Sequence, residues 1–197
     1  RLNLAMLHVF AALGDVELPE HEVTDAVASI AASPMPTVRA LGFWVQAMRA
    51  ADDDVPAAIS YYQQAIDRAV ACGDRTVEQT CRGFQMALLA QTDDLDSALA
   101  GFATIVDAWT ISGDRYTSIA MSQLVALLAR LGYHDGAAKL LGTLPENMAG
   151  FAEMLAMQDA MGAVAYTNAY QAGAALDRRN AAELAHQLIT QARTDHT

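Results

Sequence analysis

The sequence predicts an all-α fold, a right-handed superhelix of antiparallel helix pairs that repeats about every 40 residues and ends in a C-terminal helical cap. Three observations lead to this prediction. Ala, Leu and Met are abundant and there are only five prolines, a composition that favours helix. A Gly-Asp-Arg triplet occurs twice, one repeat length apart. Apolar residues recur at helical spacing in the same register, and a hydrophobic fraction of 53% is enough for a folded core.

The triplet occupies residues 73–75 and again 113–115. Glycine adopts the left-handed conformation that ends a helix at little cost, and the following aspartate can accept hydrogen bonds from the first amides of the next helix. The triplet therefore predicts a helix end followed by a helix start. Arg75 and Arg115 are expected to stay solvated or to pair with neighbouring acids, and a functional role for them is the alternative. A phosphate-binding loop would need more glycines, a Lys-Ser/Thr and a preceding strand, which the sequence lacks.

Apolar stripes support the same repeat. The helix after Gly73 carries a stripe at positions i, i+4, i+7 and i+11, and the equivalent positions one repeat later and one repeat earlier are mostly apolar. The three stripes are Val77, Cys81, Phe84, Leu88; Thr117, Met121, Leu124, Leu128; and Thr37, Leu41, Trp44, Met48. The second helices of two pairs match in the same way, with Ala58, Tyr62, Ala65, Ile66, Ala69 and Ala98, Phe102, Ile105, Val106, Trp109. Each helix of a pair is therefore expected to bury one face against its neighbours.

The starts and ends of the second helices are also visible. Asp54 and Asp94 are expected to cap the helix start, and Pro56 suits a first turn. A third second helix begins near Ala138 but departs at Gly142, and Pro145 ends it. The predicted organisation is one continuous domain resembling a tetratricopeptide array. It has a degenerate helix pair in residues 1–35, three pairs in 36–145 and capping helices in 146–197. Because the chain lacks an initiator Met, it is interpreted as a fragment of a longer protein.

Charge and hydropathy exclude some functions. The net charge of −11, from 12 basic and 23 acidic residues, disfavours direct binding of nucleic acid. No apolar run reaches the roughly 18 residues that cross a bilayer, and no signal-peptide cleavage pattern is present, so a cytoplasmic protein without a membrane partner is expected. Cys72 and Cys81 are expected to be small buried hydrophobes in a reducing compartment.

Two short motifs are candidates for chemical sites. Glu183 and His186 have the Glu-x-x-His spacing of di-iron bundles, but such a site needs a second pair and two more glutamates. His134 and Asp135 could form a metal site, yet they occupy the turn where other repeats carry a capping aspartate, which favours helix capping. No catalytic, cofactor-binding or metal-binding residue is therefore predicted, no cofactor is expected, and the chain is expected not to be an enzyme.

Four methionines precede the last helices: Met148, Met154, Met157 and Met161. They are interpreted as adaptable core fillers. The alternative is a pliable apolar surface that docks a partner helix or an effector.

The stretch "GDRYTSIAMSQLVALLARLGYHDGAAKLLG" resembles the final repeat of large bacterial regulators of the LuxR/AfsR type, which run "LG-x-x-x-x-AA-x-LLG". The chain continues with "YTNAYQAGAALDRRNAAELA", which is similar to that family's ending; the resemblance covers residues 113–189. The matching residues near the end are Tyr166, Tyr170, Gly173, Leu176, Ala181, Ala182 and Ala185. The segment "TLPENMAGFAEMLAMQD" departs from the family's pattern, being richer in methionine and less charged.

The resemblance implies a sensor or scaffold part of a multidomain bacterial signalling protein or transcriptional regulator, attached to a nucleotide-binding ATPase. Partner or effector binding would bias that ATPase or another output domain. A sensor with an enclosed small-molecule pocket, or a part of an ATPase–nucleotide cyclase protein, are the alternatives. The first helix of each pair is expected to line a concave face. The candidate contact residues on these helices are Arg39, Gln46, Arg82, Gln85 and Gln123.

Overall fold

The computed structural model describes residues 29–30, 32–92, 94–112, 115–145 and 152–196. All regular structure in these ranges is helical, which confirms the all-α prediction. The helices longer than one turn are α1 Pro36–Ala50, α2 Val55–Cys72, α3 Arg75–Leu89, α4 Leu95–Ser112, α5 Arg115–Arg130, α6 His134–Gly142, α7 Ala152–Met161, α8 Ala163–Ala174 and α9 Arg178–Asp195. The helix pair predicted in residues 1–35 falls largely outside the described residues. The chain divides into two compact units, Arg1–Cys81 and Arg82–Thr197, and the boundary falls inside α3.

Helices α1 and α2 pack against each other in the first unit. The hydroxyl of Thr37, at the start of α1, lies 3.5 Å from the sulfur of Cys72, at the end of α2, so the two helices run antiparallel. The stripe predicted for α2 is confirmed, because its buried residues are Ala58, Tyr62, Ala65, Ile66 and Ala69. Three of these five are alanines, and they leave room for close neighbours on this face of α2.

The stripe predicted for α1 is wrong in register. Its four members are only half-buried, and the buried residues are Val38, Ala40, Gly42, Val45 and Ala47 instead. The physical reason is a second contact on the other side of α1. A Cβ atom on Gly42 would lie 2.5 Å from the Cγ2 atom of Ile30, so Ile30 packs on the backbone of α1 and buries the face around Gly42. Because α1 has small or apolar side chains on both sides, its amphipathic pattern alone does not select the buried one.

The boundary between α2 and α3 has the structure that its sequence predicts. Gly73 is left-handed with φ of 75°, and the backbone amide of Asp74 donates to the carbonyl of Ala69 at 2.9 Å. The Asp74 carboxylate then accepts from the amide of Val77 at 3.1 Å, which caps α3. Arg75 pairs with Glu78 at 2.7 Å. The second copy of the glycine and aspartate, residues 113–114, lies outside the described residues.

The two other capping aspartates behave as predicted. The Asp54 carboxylate accepts from the amide of Ala57 at 3.0 Å, and the Asp94 carboxylate accepts from the amide of Ser97 at 3.3 Å. Pro56 lies in the first turn of α2. The first amides of α2 and α4 thereby find acceptors within their own sequence.

The core of the second unit lies among α4, α5, α6 and the helices that follow. The stripe predicted for α4 is confirmed, and its buried residues are Ala98, Leu99, Phe102, Ile105, Val106 and Trp109. All four residues of the α5 stripe are buried as well. The C-terminal half of α3 joins this unit through two close contacts: Gly101 of α4 faces the side chain of Met86, and Gly83 faces Ala120 of α5.

Helices α6 and α8 approach each other at two glycines. A Cβ atom on Gly142 would collide with the carbonyl oxygen of Tyr170, and one on Gly173 would collide with the carbonyl oxygen of Lys139. Both obstacles are backbone atoms, so no side-chain rotation relieves them. The crossing therefore requires glycine on both helices.

The last helix, α9, packs on α4 and α6. Arg193 donates two hydrogen bonds to Asp96, at 2.7 and 3.1 Å, which hold the pKa of that carboxyl below its usual range. His186 lies 3.0 Å from Asp107. Desolvation and a 2.7 Å hydrogen bond to Asp195 raise the pKa of Tyr133 to about 12. Polar contacts at the surface thus accompany the apolar contact of α9 with α4.

The structure describes the side chains of two of the four methionines. Met157 is fully buried, and Met161 packs against the same core, as expected of core fillers. Met148 and the side chain of Met154 lie outside the described part of the chain. Among the described helices, none is long and apolar enough to cross a membrane.

The two cysteines are free and differ in exposure, which leads to a labelling prediction. Cys81 is fully buried and Cys72 is half-buried. Burial raises the pKa of the Cys81 thiol, so this thiol stays protonated at pH values where free cysteine ionises. We expect a thiol reagent at pH 8 to modify Cys72 in the native protein and Cys81 only after denaturation. Mass spectrometry with a Cys72→Ser control checks this, and native labelling of Cys81 at the rate of Cys72 would contradict it.

Candidate functional site

Buried polar side chains are concentrated on two helices. Among the described residues, every buried side chain of this kind lies on α3 or α5, the first helices of two predicted pairs. The six residues are Glu78, Thr80, Gln85, Thr117, Ser118 and Ser122. The second helices α2 and α4 bury only apolar residues and tyrosine over their described lengths. The polar groups in the interior of the described part of the chain are therefore concentrated on the first helices of these two pairs.

Three of the five candidate contact residues lie near one helix crossing in the second unit. Gly83 of α3 approaches α5 so closely that a Cβ atom there would lie 2.6 Å from the Cα atom of Ala120. Arg82 and Gln85 stand within one helical turn of Gly83, and Gln123 stands within one turn of Ala120. Gln85 is buried, whereas Arg82 and Gln123 are half-buried. An arginine and a glutamine of α3 and a glutamine of α5 thus lie within one helical turn of this crossing along their own helices.

Further hydroxyl groups lie on α5 and at the end of α4. The Ser122 hydroxyl donates to the carbonyl of Ile119 at 2.7 Å, and the hydroxyls of Ser112 and Thr117 lie 3.2 Å apart. The Ser122 hydroxyl is therefore held by the backbone of its own helix and keeps its lone pairs for a further donor. We call Arg82, Gln85, Ser122 and Gln123 the α3–α5 polar site.

The other two candidate residues, Arg39 and Gln46, lie on α1 in the first unit. They are two helical turns apart, on one face, and both are half-buried. The Nε atom of Arg39 is completely buried and has no hydrogen-bond partner. Nothing relates these two residues to the α3–α5 polar site.

The first unit holds further buried polar atoms without partners. Besides Arg39 Nε, they are Trp44 Nε1 on α1 and Gln79 Oε1 and Thr80 Oγ1 on α3. Within the described ranges the one other buried side-chain atom without a partner is His134 Nδ1. Leaving one such group unpaired costs about 1–3 kcal/mol, so a buried water molecule or a ligand that paired with these atoms would stabilise the unit.

Of these four residues, only Arg39 is among the contact candidates selected from the sequence; Trp44, Gln79 and Thr80 are not. Trp44 falls in the predicted core stripe, which suits its apolar ring but leaves its buried N–H unexplained. A signal for Gln79 is present, because it stands one repeat length after Arg39 and so occupies the same position of the next first helix. Repeated polar residues at one repeat position indicate a shared environment.

The two candidate motifs do not form metal sites in the described residues. Glu183 pairs with Arg179, and His186 with Asp107; no group of three or more His, Cys, Asp or Glu side chains there could hold a metal ion. The capping interpretation of His134 and Asp135 is wrong. The residue before α6 is Tyr133, its side chain caps nothing, and the Asp135 carboxylate accepts from Lys139 at 2.6 Å inside the helix.

Charge also differs between the helices. Helices α1, α3 and α5 carry six arginines and a single acid, Glu78, although the chain as a whole has a net charge of −11. The six arginines are Arg39, Arg49, Arg75, Arg82, Arg115 and Arg130. Helices α2 and α4 together carry three aspartates and one arginine. Positive charge is therefore concentrated on the first helices.

No family model matches the chain, and neither a curated protein nor a solved structure matches it. The function is therefore inferred from the chain's own residues and contacts. The resemblance to LuxR/AfsR-type regulators stays a prediction.

Proposed function

We propose that this chain is a non-enzymatic helical-repeat domain that binds a partner protein or an effector and biases an attached ATPase or output domain. The observation that carries the proposal is the placement of buried polar side chains on α3 and α5 and not on α2 and α4. A repeat whose helices served only to stack would bury apolar residues on both members of each pair. Polar groups confined to one member favour recognition on that side.

The repeat architecture that we propose is a tetratricopeptide-like right-handed superhelix with pairs α1–α2, α3–α4 and α5–α6, capped by α7 to α9. The common repeat register of the buried stripes in α2 and α4 supports it. The approach of Gly83 to Ala120 supports it as well, because successive first helices of such an array pack on each other.

The charge of the first helices indicates the kind of partner. Six arginines and one acid on these helices favour a partner segment or effector that carries negative charge. The acidic remainder of the chain would repel the same partner elsewhere, so charge directs it to the first helices. We therefore propose an acidic segment of the neighbouring domain or of a partner protein as the bound element at the α3–α5 polar site.

The test uses the full-length protein that contains this chain. The double variant Arg82→Ala/Gln123→Ala removes two half-buried groups of the α3–α5 polar site, and Gln64→Ala/Arg68→Ala removes the same two residue types from the exposed face of α2. We expect the first variant to change nucleotide turnover about fivefold or more and the second to leave it unchanged. Equal turnover in both variants and the parent, with unchanged helix content by circular dichroism, would overturn the proposal.

The second candidate function is a sensor for a small molecule. The four buried polar atoms without partners in the first unit favour it, because a ligand would satisfy groups that the protein leaves unpaired. This candidate needs no contact with a partner protein.

A further inference from the structure

We propose that two copies of this chain associate through one side of α8, with the two α8 helices lying against each other about a twofold axis. The side consists of Val164, Thr167, Asn168 and Gln171, and we call it the α8 outer face. These residues follow the i, i+3, i+4, i+7 spacing of one side of a helix, and all four are exposed. The proposal goes beyond the function proposed above and involves neither the α3–α5 polar site nor the polar atoms of the first unit.

Helix α8 packs on α6 through the side opposite to this face. Its buried residues are Ala169 and Gly173, and Gly173 meets the backbone of Lys139. The half-buried rings of Tyr166 and Tyr170 lie on the same side, pack against the core and stack on each other with their centroids 6.3 Å apart. The α8 outer face is therefore held in place from behind, and its binding would cost little conformational entropy.

The α8 outer face lies in a stretch without charge. Residues 160–176 contain no Asp, Glu, Lys, Arg or His, and α8 is the one helix of α1 to α9 that carries none of them. The neighbouring helix α9 carries Arg179 and Glu183 at exposed positions. Helix faces that stay in water usually carry charges, as the terminal helices of repeat arrays do. The composition of α8 is therefore that of a contact surface.

The absence of charge selects a second copy as the occupant. Each chain has a net charge of −11, so two copies repel each other over most of their surfaces. In a twofold contact the same patch serves both subunits, and residues near the axis lie opposite themselves. A charged residue there would face its own charge, so a twofold contact of this chain needs a patch without charge, which α8 provides. A basic or acidic partner would find no opposite charge on this face.

The side chains of the face are also self-complementary. The amides of Asn168 and Gln171 both donate and accept, and neither has a hydrogen-bond partner among the described residues, so each can pair with its counterpart in a second copy. The Thr167 hydroxyl donates to the carbonyl of Ala163 at 2.8 Å and keeps its lone pairs for a further donor. Val164, which is 76% exposed, is the large apolar side chain of the face. An identical face therefore offers each of these groups a partner of the kind it needs.

The size of the face indicates a weak dimer. A stable interface uses roughly 20–30 residues on each side, whereas α8 has 12 residues in all. We therefore expect a Kd of about 50 µM, measured by sedimentation equilibrium of the 197-residue chain up to about 500 µM. Added salt should strengthen the association, because it screens the repulsion between the two acidic chains and the contact contains no ion pair to weaken.

Two variants test the position of the contact. Val164→Glu and Asn168→Asp each place a carboxylate on the face, opposite its copy, and we expect each to raise the Kd about tenfold or more. Neither should unfold α8, because both positions are exposed, Asp is nearly isosteric with Asn, and a glutamate in the first turn suits the positive end of a helix. Val70→Glu is the matched control, at a valine of α2 that is 51% exposed, and should leave the Kd unchanged.

A chain that stays monomeric at about 500 µM would overturn the proposal. A dimer whose Kd is unchanged in Val164→Glu and Asn168→Asp, or rises equally in Val70→Glu, would also overturn it, and so would a dimer that salt dissociates. If the chain were monomeric and Val164→Glu changed nucleotide turnover in the full-length protein, the face would belong to a neighbouring domain and not to a second copy. None of these results bears on the effect of Arg82→Ala/Gln123→Ala, so the two proposals fail separately.

Discussion

Replacing Gly173 with alanine is expected to destabilise the second unit by about 3 kcal/mol, a loss of roughly 10 °C in Tm. The added methyl group would meet the carbonyl oxygen of Lys139, an atom in the middle of α6. Helices α6 and α8 would have to separate along their whole contact, because neither backbone can move aside locally. Gly142→Ala is expected to have an effect of similar size, since its obstacle is the carbonyl oxygen of Tyr170. Thermal unfolding followed by circular dichroism measures both.

Gly101→Ala is the matched control for these substitutions. Gly101 also lies inside a helix in close contact, but its new methyl group would meet the end of the Met86 side chain, which is flexible and can turn away. We expect a loss below about 1 kcal/mol, because better helix propensity offsets part of the repacking. If Gly101→Ala were as damaging as Gly173→Ala, the backbone crossing would not be the reason for the glycines in α6 and α8.

Phe102→Ala is expected to cost about 4 kcal/mol. Phe102 is fully buried in the core of the second unit, so the substitution removes a ring and leaves a cavity. Ile111→Ala in the same helix is the control, since Ile111 is 86% exposed. Its loss should cost about 0.5 kcal/mol or less, as is usual for surface substitutions. Urea unfolding of both variants checks the difference, and similar midpoints would contradict the position of Phe102 in the core.

The helices and their boundaries follow from local rules that one sequence displays. Asp54, Asp74 and Asp94 cap the helices for which they are predicted, because a capping aspartate needs only the nearby amides of its own chain. The stripes of α2 and α4 are correct for a similar reason. Their opposite faces are polar enough that one orientation buries far more apolar surface than any other.

The remaining features depend on neighbours that the local sequence does not name. Helix α1 is apolar on both sides, so the contact of Ile30 with Gly42 decides which side is buried. The glycines of the α6–α8 crossing give no signal of their own, because close approach is a property of two segments that are separated in the chain by a further helix, α7.

The candidate site is predictable only in part. Five polar positions on the first helices can be picked from the repeat register, and three of them lie within one helical turn of the crossing of Gly83 with Ala120. Their role in binding stays a prediction. Trp44 and Thr80 cannot be picked, since an indole N–H or a hydroxyl on an apolar stripe is ordinarily satisfied. Only the positions of the surrounding atoms reveal that the Trp44 N–H and the Thr80 hydroxyl have no hydrogen-bond partner.

The contact between α4 and α9 has a consequence for the order in which the chain folds during synthesis. Asp96 and Arg193 are separated by 97 residues along the chain, and Asp107 and His186 by 79. The ribosome therefore exposes the face of α4 long before the helix that covers it has been made. Helices α1 and α2 of the first unit, in contrast, are immediate neighbours in the chain. Folding of the second unit should thus finish only when α9 has emerged from the ribosome. Until then the uncovered face of α4 is the part of the nascent chain that a chaperone would protect.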